Sequence, residues 1–314
     1  MMDLVFCGTP QFAVPTLQRL VTGGFRLKLV ATQPDRPSGR GMELAASPIK
    51  KEALRMGLPI TQPEKIRNNE EFRAQLEALR PEAIVVVGYG RIIPQWMIDL
   101  PPLGNINLHA SLLPKYRGAA PIQWAIASGE SVTGVTTMRI DAGLDTGDIL
   151  EQKEEPIHDD DNAMTLAPRL AHMGAELVLT SLAGLAKRTI TPCPQDDTKA
   201  TLAPILTKED GLIDFARTAQ ETWYRLRGFQ PWPGAFTHFR GKALHIHEGV
   251  PAAEAAAVSP GHFTVKDDRL LLGFAHGTTL EIHELQMEGK KRMSARDFIN
   301  GYHPKSDEPL GAAV

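Results

Sequence analysis

An α/β domain built on a parallel sheet, followed by a small β-barrel, is the architecture this sequence predicts. Three observations carry it. In the first half, short apolar runs alternate with stretches of helical spacing. One of those runs, Ala83–Val87, is continuous and mostly β-branched, as a strand covered on both faces requires. Beyond about residue 204 the texture changes to short alternating segments separated by glycines and polar turns.

Residues 4–7 read as the first strand and 14–20 carry apolar positions at helical spacing. Residues 27–31 make the second strand. Ser47-Pro48 then supplies an N-cap followed by proline at the first helical position, opening a helix to about Met56. Glu70–Leu79 is amphipathic, Ala83–Val87 is the buried strand, and 106–108 is a further short one. Segments 134–140 and 149–153 predict two more strands around a 143–148 loop, and 164–186 a long closing helix. Residues 187–206, rich in Thr, Pro and Asp, read as a linker between a domain at 1–186 and one at 207–314. In the latter, Ala235–Phe239, 242–247, 262–265, 269–274 and 279–285 supply the strands of the predicted barrel.

A chain of 314 residues suits two domains at the usual ~100–200 residues each. No apolar run approaches the ~18–20 residues of a membrane span. The start, Met1-Met-Asp3-Leu-Val-Phe-Cys7, lacks the basic region and cleavage site of a signal peptide, so a cytoplasmic location is expected. Cys7 and Cys193 are too few for a disulfide framework or a zinc cluster, and no metal is expected. With a net charge of -3, a polyanionic partner would have to be held by local basic patches.

In parallel α/β sheets, sites form at the carboxyl ends of strands. Asn107-Leu-His109-Ala-Ser111-Leu-Leu-Pro114 lies there, and Asn107 and His109, two apart on an extended segment, point to one face. Asp145 sits between glycines in Gly143-Leu-Asp-Thr-Gly147. An amide, an imidazole and a carboxylate are the parts of an acyl-transfer site without a covalent nucleophile. Asn107 and His109 would donate to the oxyanion formed when an amine adds to an acyl carbonyl, at about 2.7–4 kcal/mol of barrier per donor. Asp145 would orient His109 and favour its protonated form, and it, or a water it holds, could take the proton shed by the attacking nitrogen. Ser111 lacks a Gly-x-Ser-x-Gly elbow, which leaves it a role in binding or in the turn. Cys7-Gly-Thr-Pro10 lacks the G-x-G-x-x-G fingerprint, which argues against a dinucleotide site. The loop Gln33-Pro-Asp-Arg36-Pro-Ser-Gly-Arg40-Gly is either a mobile surface loop or a phosphate contact.

Asn107-Leu-His109-Ala-Ser-Leu-Leu-Pro-Lys-Tyr-Arg-Gly-Ala-Ala-Pro-Ile-Gln123, with Gly143-Leu-Asp-Thr-Gly-Asp148, resembles the folate-dependent formyltransferase family. Phe6-Cys-Gly-Thr-Pro10, the arginine loop, Tyr89-Gly-Arg-Ile-Ile-Pro94, Phe229-Gln-Pro-Trp-Pro-Gly234 and Gly289-Lys-Lys-Arg-Met-Ser294 resemble its tRNA-acting branch. The resemblance implies a Rossmann-like first domain and an OB-like barrel after it. It implies 10-formyltetrahydrofolate as donor and the α-amino group of initiator methionyl-tRNA as acceptor, in translation initiation. Asn107, His109 and Asp145 match the family's catalytic triad. Ser111, Leu112, Leu113 and Pro114 match its folate-binding turn, and the 36–41 loop, with Arg36 and Arg40, matches the insertion that approaches the acceptor stem. Met42-Glu43 stands where lysines are common in the family, so this loop is less basic. Residues 207–314 hold 13 Lys/Arg against 14 Asp/Glu, so tRNA binding there needs a local patch. Arg225, Arg227, Lys242, Lys290, Lys291 and Arg292 are its candidates. A monomer is expected. Two rival readings share parts of this pattern: a folate formyltransferase acting on a nucleotide, amino sugar or aldehyde-linked substrate, and a catalytically silent RNA-binding protein on a Rossmann scaffold.

Overall fold

A computed structural model describes residues 1–38, 43–253, 258–306 and 308–311. The chain divides into two units. The first comprises residues 1–121, 132–156 and 167–204, and the second 122–131, 157–166 and 205–314.

The first unit is organised by a seven-stranded sheet. Its strands are β1 (Asp3–Gly8), β2 (Arg26–Ala31), β5 (Ile60–Thr61), β6 (Ala83–Val87), β7 (Asn105–His109), β9 (Val132–Arg139) and β10 (Ile149–Pro156). Two short hairpin strands, β3 (Arg36–Ser38) and β4 (Glu43–Ala45), pair with each other, and β8 (Arg117–Gly118) pairs with β11 (Leu202–Ala203). The order across the sheet is β10-β9-β7-β6-β1-β2-β5, parallel from β5 to β7 and antiparallel for β9 and β10. This is the mostly parallel, Rossmann-like sheet that the sequence predicts. The strand order reverses between β1 and β6, which is where doubly wound sheets open a crevice at their carboxyl ends.

Helices α1 (Val14–Thr22), α2 (Pro48–Arg55), α3 (Glu70–Leu79) and the short α4 (Gln95–Ile98) connect the parallel strands. Ser47 caps α2, accepting from the Lys50 amide, with Pro48 at the first helical position. Asn69 caps α3 in the same way through the Phe72 amide. One sheet face presents Val5, Cys7, Leu29, Ala31, Ile84 and Val86 to Phe72 and Leu76 of α3. Burial pushes the Cys7 thiol up to about 12, so this cysteine is inert packing. Beyond β10 comes α6 (Ala163–Lys187). Within the stretch 187–206, read from composition as a connector, residues up to 204 carry pairings within the first unit: Cys193 bridges Ile149, and β11 holds β8.

The second unit holds an antiparallel sheet of β12 (Ala235–Phe239), β13 (Lys242–Pro251), β16 (Thr279–Met287), β15 (Arg269–Gly273) and β14 (Phe263–Lys266), in that order, with β17 (Met293–Ser294) beside β16. Among the described residues, β12 and β14 end the sheet unpaired to each other, so what is seen is an antiparallel sheet rather than a closed barrel. Helices α7 (Ala219–Gly228) and α8 (Ala295–Tyr302) cover its core. Phe298 of α8 packs against Phe239 and Phe263 with ring centroids at 5.4 and 5.9 Å. A capping box, Thr218 with Glu221, starts α7. The remaining helix, α5 (Pro121–Ala127), follows the Gly118 turn. Among the described residues, no helix is long and apolar enough to cross a membrane.

Candidate active site

β7 delivers two of the three expected groups. Asn107 and His109 lie two residues apart on this strand, opposite Met138 and Thr136 of β9. His109 is 6% exposed, so it sits in the protein wall. Asn107 is half-buried, and its amide has no hydrogen-bond partner among the described residues. A polar amide with free hydrogen-bonding capacity on this strand is available to a ligand.

His109 Nε2 lies 2.9 Å from the Tyr116 carbonyl oxygen. A carbonyl can only accept, so Nε2 carries a proton and Nδ1 is the ring atom left to gain or lose one. That Nδ1 is 3.7 Å from Asp145 Oδ2. The same carboxylate oxygen accepts the Gly118 amide at 2.9 Å. Strand β8 and the residue before it therefore touch both groups: Tyr116 fixes the imidazole and Gly118 fixes the carboxylate. Gly118 has φ 126, and a Cβ there would lie 2.5 Å from the Ala203 carbonyl oxygen, so only glycine allows this approach to β11.

The loop that carries Asp145 is held on two sides. Asp141 accepts the Gly143 amide at 3.0 Å and the Thr146 hydroxyl at 2.8 Å. Asp145 itself has φ 52, left-handed backbone that a non-glycine residue adopts only when its surroundings impose it. At Gly147 a Cβ would fall 1.9 Å from the Arg139 carbonyl oxygen. On the other side, Gln195 Nε2 donates to the carbonyls of Asp145 and Gly147, both at 2.8 Å. Sequence reasoning missed Gln195, since nothing local in a Pro- and Asp-rich stretch marks it.

The turn 111–114 is locked to the antiparallel edge. Ser111 is fully buried and its hydroxyl donates to the Lys115 carbonyl at 2.6 Å, so it builds the turn. Thr136 Oγ1 donates to the Ser111 carbonyl and accepts from the Leu113 amide, and Gln152 donates to the Leu113 carbonyl. Leu113 is buried, whereas Leu112 and Pro114 are half-exposed.

At the carboxyl ends of β1, β2 and β6 lies a cleft of ≈ 570 Å³, lined among others by Thr9, Pro10, Gln33, Arg36, Ser47 and Tyr89. Gln33 Nε2 donates to the carbonyls of Tyr89 and Gly90 at 3.0 and 2.8 Å, and its Oε1 accepts from Arg36 at 3.0 Å. Arg36 thus sits on the rim of this cleft, while Arg40 falls outside the described residues. The sequence marked Thr9, Pro10, Gln33 and Tyr89 only as members of motifs.

The basic candidates of the second unit differ from one another. Lys242, Lys290, Lys291 and Arg292 are exposed, and Arg292 pairs with Glu284 at 3.5 Å. Arg225 is half-buried, lying over the Trp124 and Phe229 rings and donating to the Asp210 carbonyl. Arg227 is 9% exposed and otherwise engaged: it donates to the carbonyls of His158 and Asp161 and lies over Trp223. Burial lowers the pKa of both arginines from the usual arginine value. Among the described residues, no group of three or more His, Cys, Asp or Glu is arranged to hold a metal ion.

Comparison with known proteins bears on the whole chain. Residues 2–182 match the family model described as formyl transferase, and residues 205–303 that of the formyl transferase C-terminal domain. A relative from Koribacter versatilis named methionyl-tRNA formyltransferase is 66% identical over 310 residues, covering 99% of each chain. One of the same name from Acidobacterium capsulatum is 60% identical, covering 99% of this chain and 100% of the relative. Among solved structures, a sugar 3N-formyl transferase crystallised with dTDP and 5-N-formyl-THF superposes with a TM-score of 0.67 at 20% identity. It covers 93% of this chain and 99% of its own, a likeness of fold.

Proposed function

The chain belongs to the formyl transferase family, and from that premise we propose that it transfers the formyl group of 10-formyltetrahydrofolate to the α-amino group of initiator methionyl-tRNA. One observation carries the reading: His109 Nδ1, its opposite ring nitrogen held by Tyr116, faces Asp145 Oδ2 at 3.7 Å, on the strand that also presents an uncommitted Asn107 amide.

The folate donor supplies an activated formyl group on a nitrogen able to leave. Everything else falls to the chain. Asn107 donates its amide to the formyl oxygen as that oxygen becomes negative, a preorganised contact that strengthens in the transition state. His109 Nδ1 receives the proton that the attacking amine sheds and returns it to the departing nitrogen. Asp145, anchored by the Gly118 amide, stabilises the charge that Nδ1 carries in between. The C–N bond to the amine forms, the C–N bond to the donor breaks, and the proton moves from one nitrogen to the other. Half-exposed Leu112 and Pro114, with Leu144 at 65% exposure beside Asp145, offer apolar surface to a flat heterocycle. Ser111 and Leu113 shape the folate turn from beneath.

Residues 1–186 serve as the transfer domain and 207–314, an OB-like domain, as the tRNA-binding one, with 187–206 running between them. Arg36 and Arg40 approach the acceptor stem. Lys242, Lys290, Lys291 and Arg292 contact phosphates. Arg225 and Arg227 support that surface by holding the segments around Asp210 and 158–161. The enzyme works as a monomer in the cytoplasm, where its tRNA substrate is used.

The test is transfer of labelled formyl from 10-formyltetrahydrofolate to methionyl-tRNA, set beside free amino sugars and nucleotides. Transfer to the charged tRNA is the expected result. Transfer only to free amines, or none at all, overturns the reading.

A further inference from the structure

Gln195 makes all four hydrogen bonds open to a carboxamide. Its Nε2 donates to the Asp145 and Gly147 carbonyls at 2.8 Å each. Its Oε1 accepts from Arg117 Nε at 3.0 Å and from the Arg117 terminal guanidinium nitrogen at 2.8 Å. The orientation of the amide is unambiguous, because a guanidinium only donates and carbonyls only accept. Arg117 itself is buried, its side chain 8% exposed, and also pairs with Asp197 at 2.7 Å.

Arg117 lies between the two residues that hold the candidate catalytic groups: Tyr116, on His109, and Gly118, on Asp145. Through Gln195 the same segment also grips the backbone of the Asp145 loop. Asp145 is thus located twice from strand β8, once by its carboxylate and once by its carbonyl, and His109 is located from the adjoining residue. The left-handed backbone at Asp145 needs such imposition, since a lone residue with φ 52 relaxes unless its surroundings over-determine it.

We propose that Gln195 is a positioning residue for formyl transfer, which sets the Asp145 carboxylate against His109 Nδ1 by clamping the Asp145–Gly147 backbone to Arg117. The proposal rests on the triad assignment made above, and it concerns a residue whose carboxamide hydrogen bonds go to protein groups.

Two variants separate the halves of the clamp. Gln195→Glu keeps an acceptor for Arg117 but sets a negative oxygen against two carbonyls, pushing the loop away. Gln195→Ala removes both halves and keeps the surrounding chain. Misplacement of a catalytic group by about 1 Å is enough for a loss of about 10²-fold, and this is the fall in kcat expected for Gln195→Glu. The KM values for folate and tRNA should stay within about twofold, as for a group acting only in the transition state. Independently of any substrate, the Gly118 amide resonance in ¹⁵N-glycine-labelled protein should move in both variants, because its acceptor has moved. An unmoved Gly118 resonance in Gln195→Ala overturns the proposal, as does an unchanged kcat in both variants. Failure of the wild-type enzyme to formylate methionyl-tRNA would strike the proposed function instead, and would leave the Gly118 measurement valid.

Discussion

The Tyr116 carbonyl accepts the Nε2 proton of His109 at 2.9 Å, and this fixes which imidazole nitrogen is left free to exchange a proton. With Nε2 committed to the backbone, Nδ1 is the only ring atom that can exchange a proton, and it faces the Asp145 carboxylate at 3.7 Å. That distance is longer than a hydrogen bond, so no contact is formed between the two in this structure, and the carboxylate stands beside the position a proton would take. The sequence reading had His109 donating to the oxyanion. The ring's attachment to Tyr116 favours Nδ1 as a proton carrier and leaves Asn107 as the principal donor to that oxygen.

His109→Ala removes the proton carrier and should lower kcat by about 10²–10⁴-fold, the span of general acid–base contributions. Asp145→Asn keeps an oxygen for the Gly118 amide but removes the charge, so it should lower kcat with little change in fold. Direct binding of methionyl-tRNA by both variants should match the wild type. Near wild-type turnover in both would dismiss the proposed proton path.

Asn107→Ala removes a donor that the protein does not otherwise use, so no buried partner is orphaned. The fold should be unaffected and kcat should fall by about 10²–10³-fold, as for the loss of one oxyanion donor. Asn107→Asp keeps the size and removes the N–H, and should be as poor. Steady-state kinetics with thermal melts checks both, and an active Asn107→Asp would remove Asn107 from its role.

Part of this site was legible in the sequence because its geometry is local. Asn107 and His109 share a face by the two-residue period of a strand, and glycines around Asp145 mark a tight loop. Ser47-Pro48 announced α2 for the same reason. What stayed hidden is non-local. Gln195 is 50 residues from Asp145 and 78 from Arg117, and a glutamine among Pro, Thr and Asp looks like connector. Arg227 looked like a surface charge. Its burial depends on two carbonyls more than 60 residues away in sequence and on the Trp223 ring. Helices α7 and α8 were missed, although their starts are capped as locally as that of α2, by Thr218 with Glu221 and by Ser294.

Gly118→Ala tests the shared anchor itself. A Cβ placed 2.5 Å from a backbone oxygen, on a residue at φ 126, forces β8 away from β11. The expected cost is on the order of 1–3 kcal/mol of stability. The denaturant midpoint should fall, and kcat should fall with it because the Asp145 contact moves. A variant as stable and active as the wild type would show that the 116–118 segment does not set the site.

The second unit should lose stability in acid. The rings of His245 and His247 are stacked at 15° with centroids 6.3 Å apart, and both titrate below the usual histidine value of 6.5. Burial is the main cause for each. His247 and Lys208 add to it at His245, while the Gln286 hydrogen bond opposes it at His247. As pH falls through 6.5 the unfolded chain takes up protons that the folded chain resists, so stability present above that pH is lost below it. Both side chains are only part-buried, so solvent screening keeps the effect small. His245→Phe keeps a ring beside Phe236, now 5.6 Å from His245, and should flatten the fall in melting temperature between about pH 7 and 5. Parallel curves for the two proteins would assign the slope elsewhere.

Salt dependence separates the basic residues that meet phosphate from those that do not. Lys290 and Lys291 are exposed and have no ion pair among the described residues, whereas Arg292 is shared with Glu284 at 3.5 Å. Each lysine that neutralises a phosphate releases a counterion, so removing one should flatten the plot of log affinity against log salt by about 0.7–0.9. Lys290→Ala and Lys291→Ala should each show that change, and Arg292→Ala a smaller one, because its charge is already partly compensated. Arg227→Ala, whose guanidinium is buried on carbonyls, should lower the melting temperature and leave the salt slope where it was. If Arg227→Ala alters the slope while the two lysine variants do not, the phosphate-facing surface has been assigned to the wrong residues.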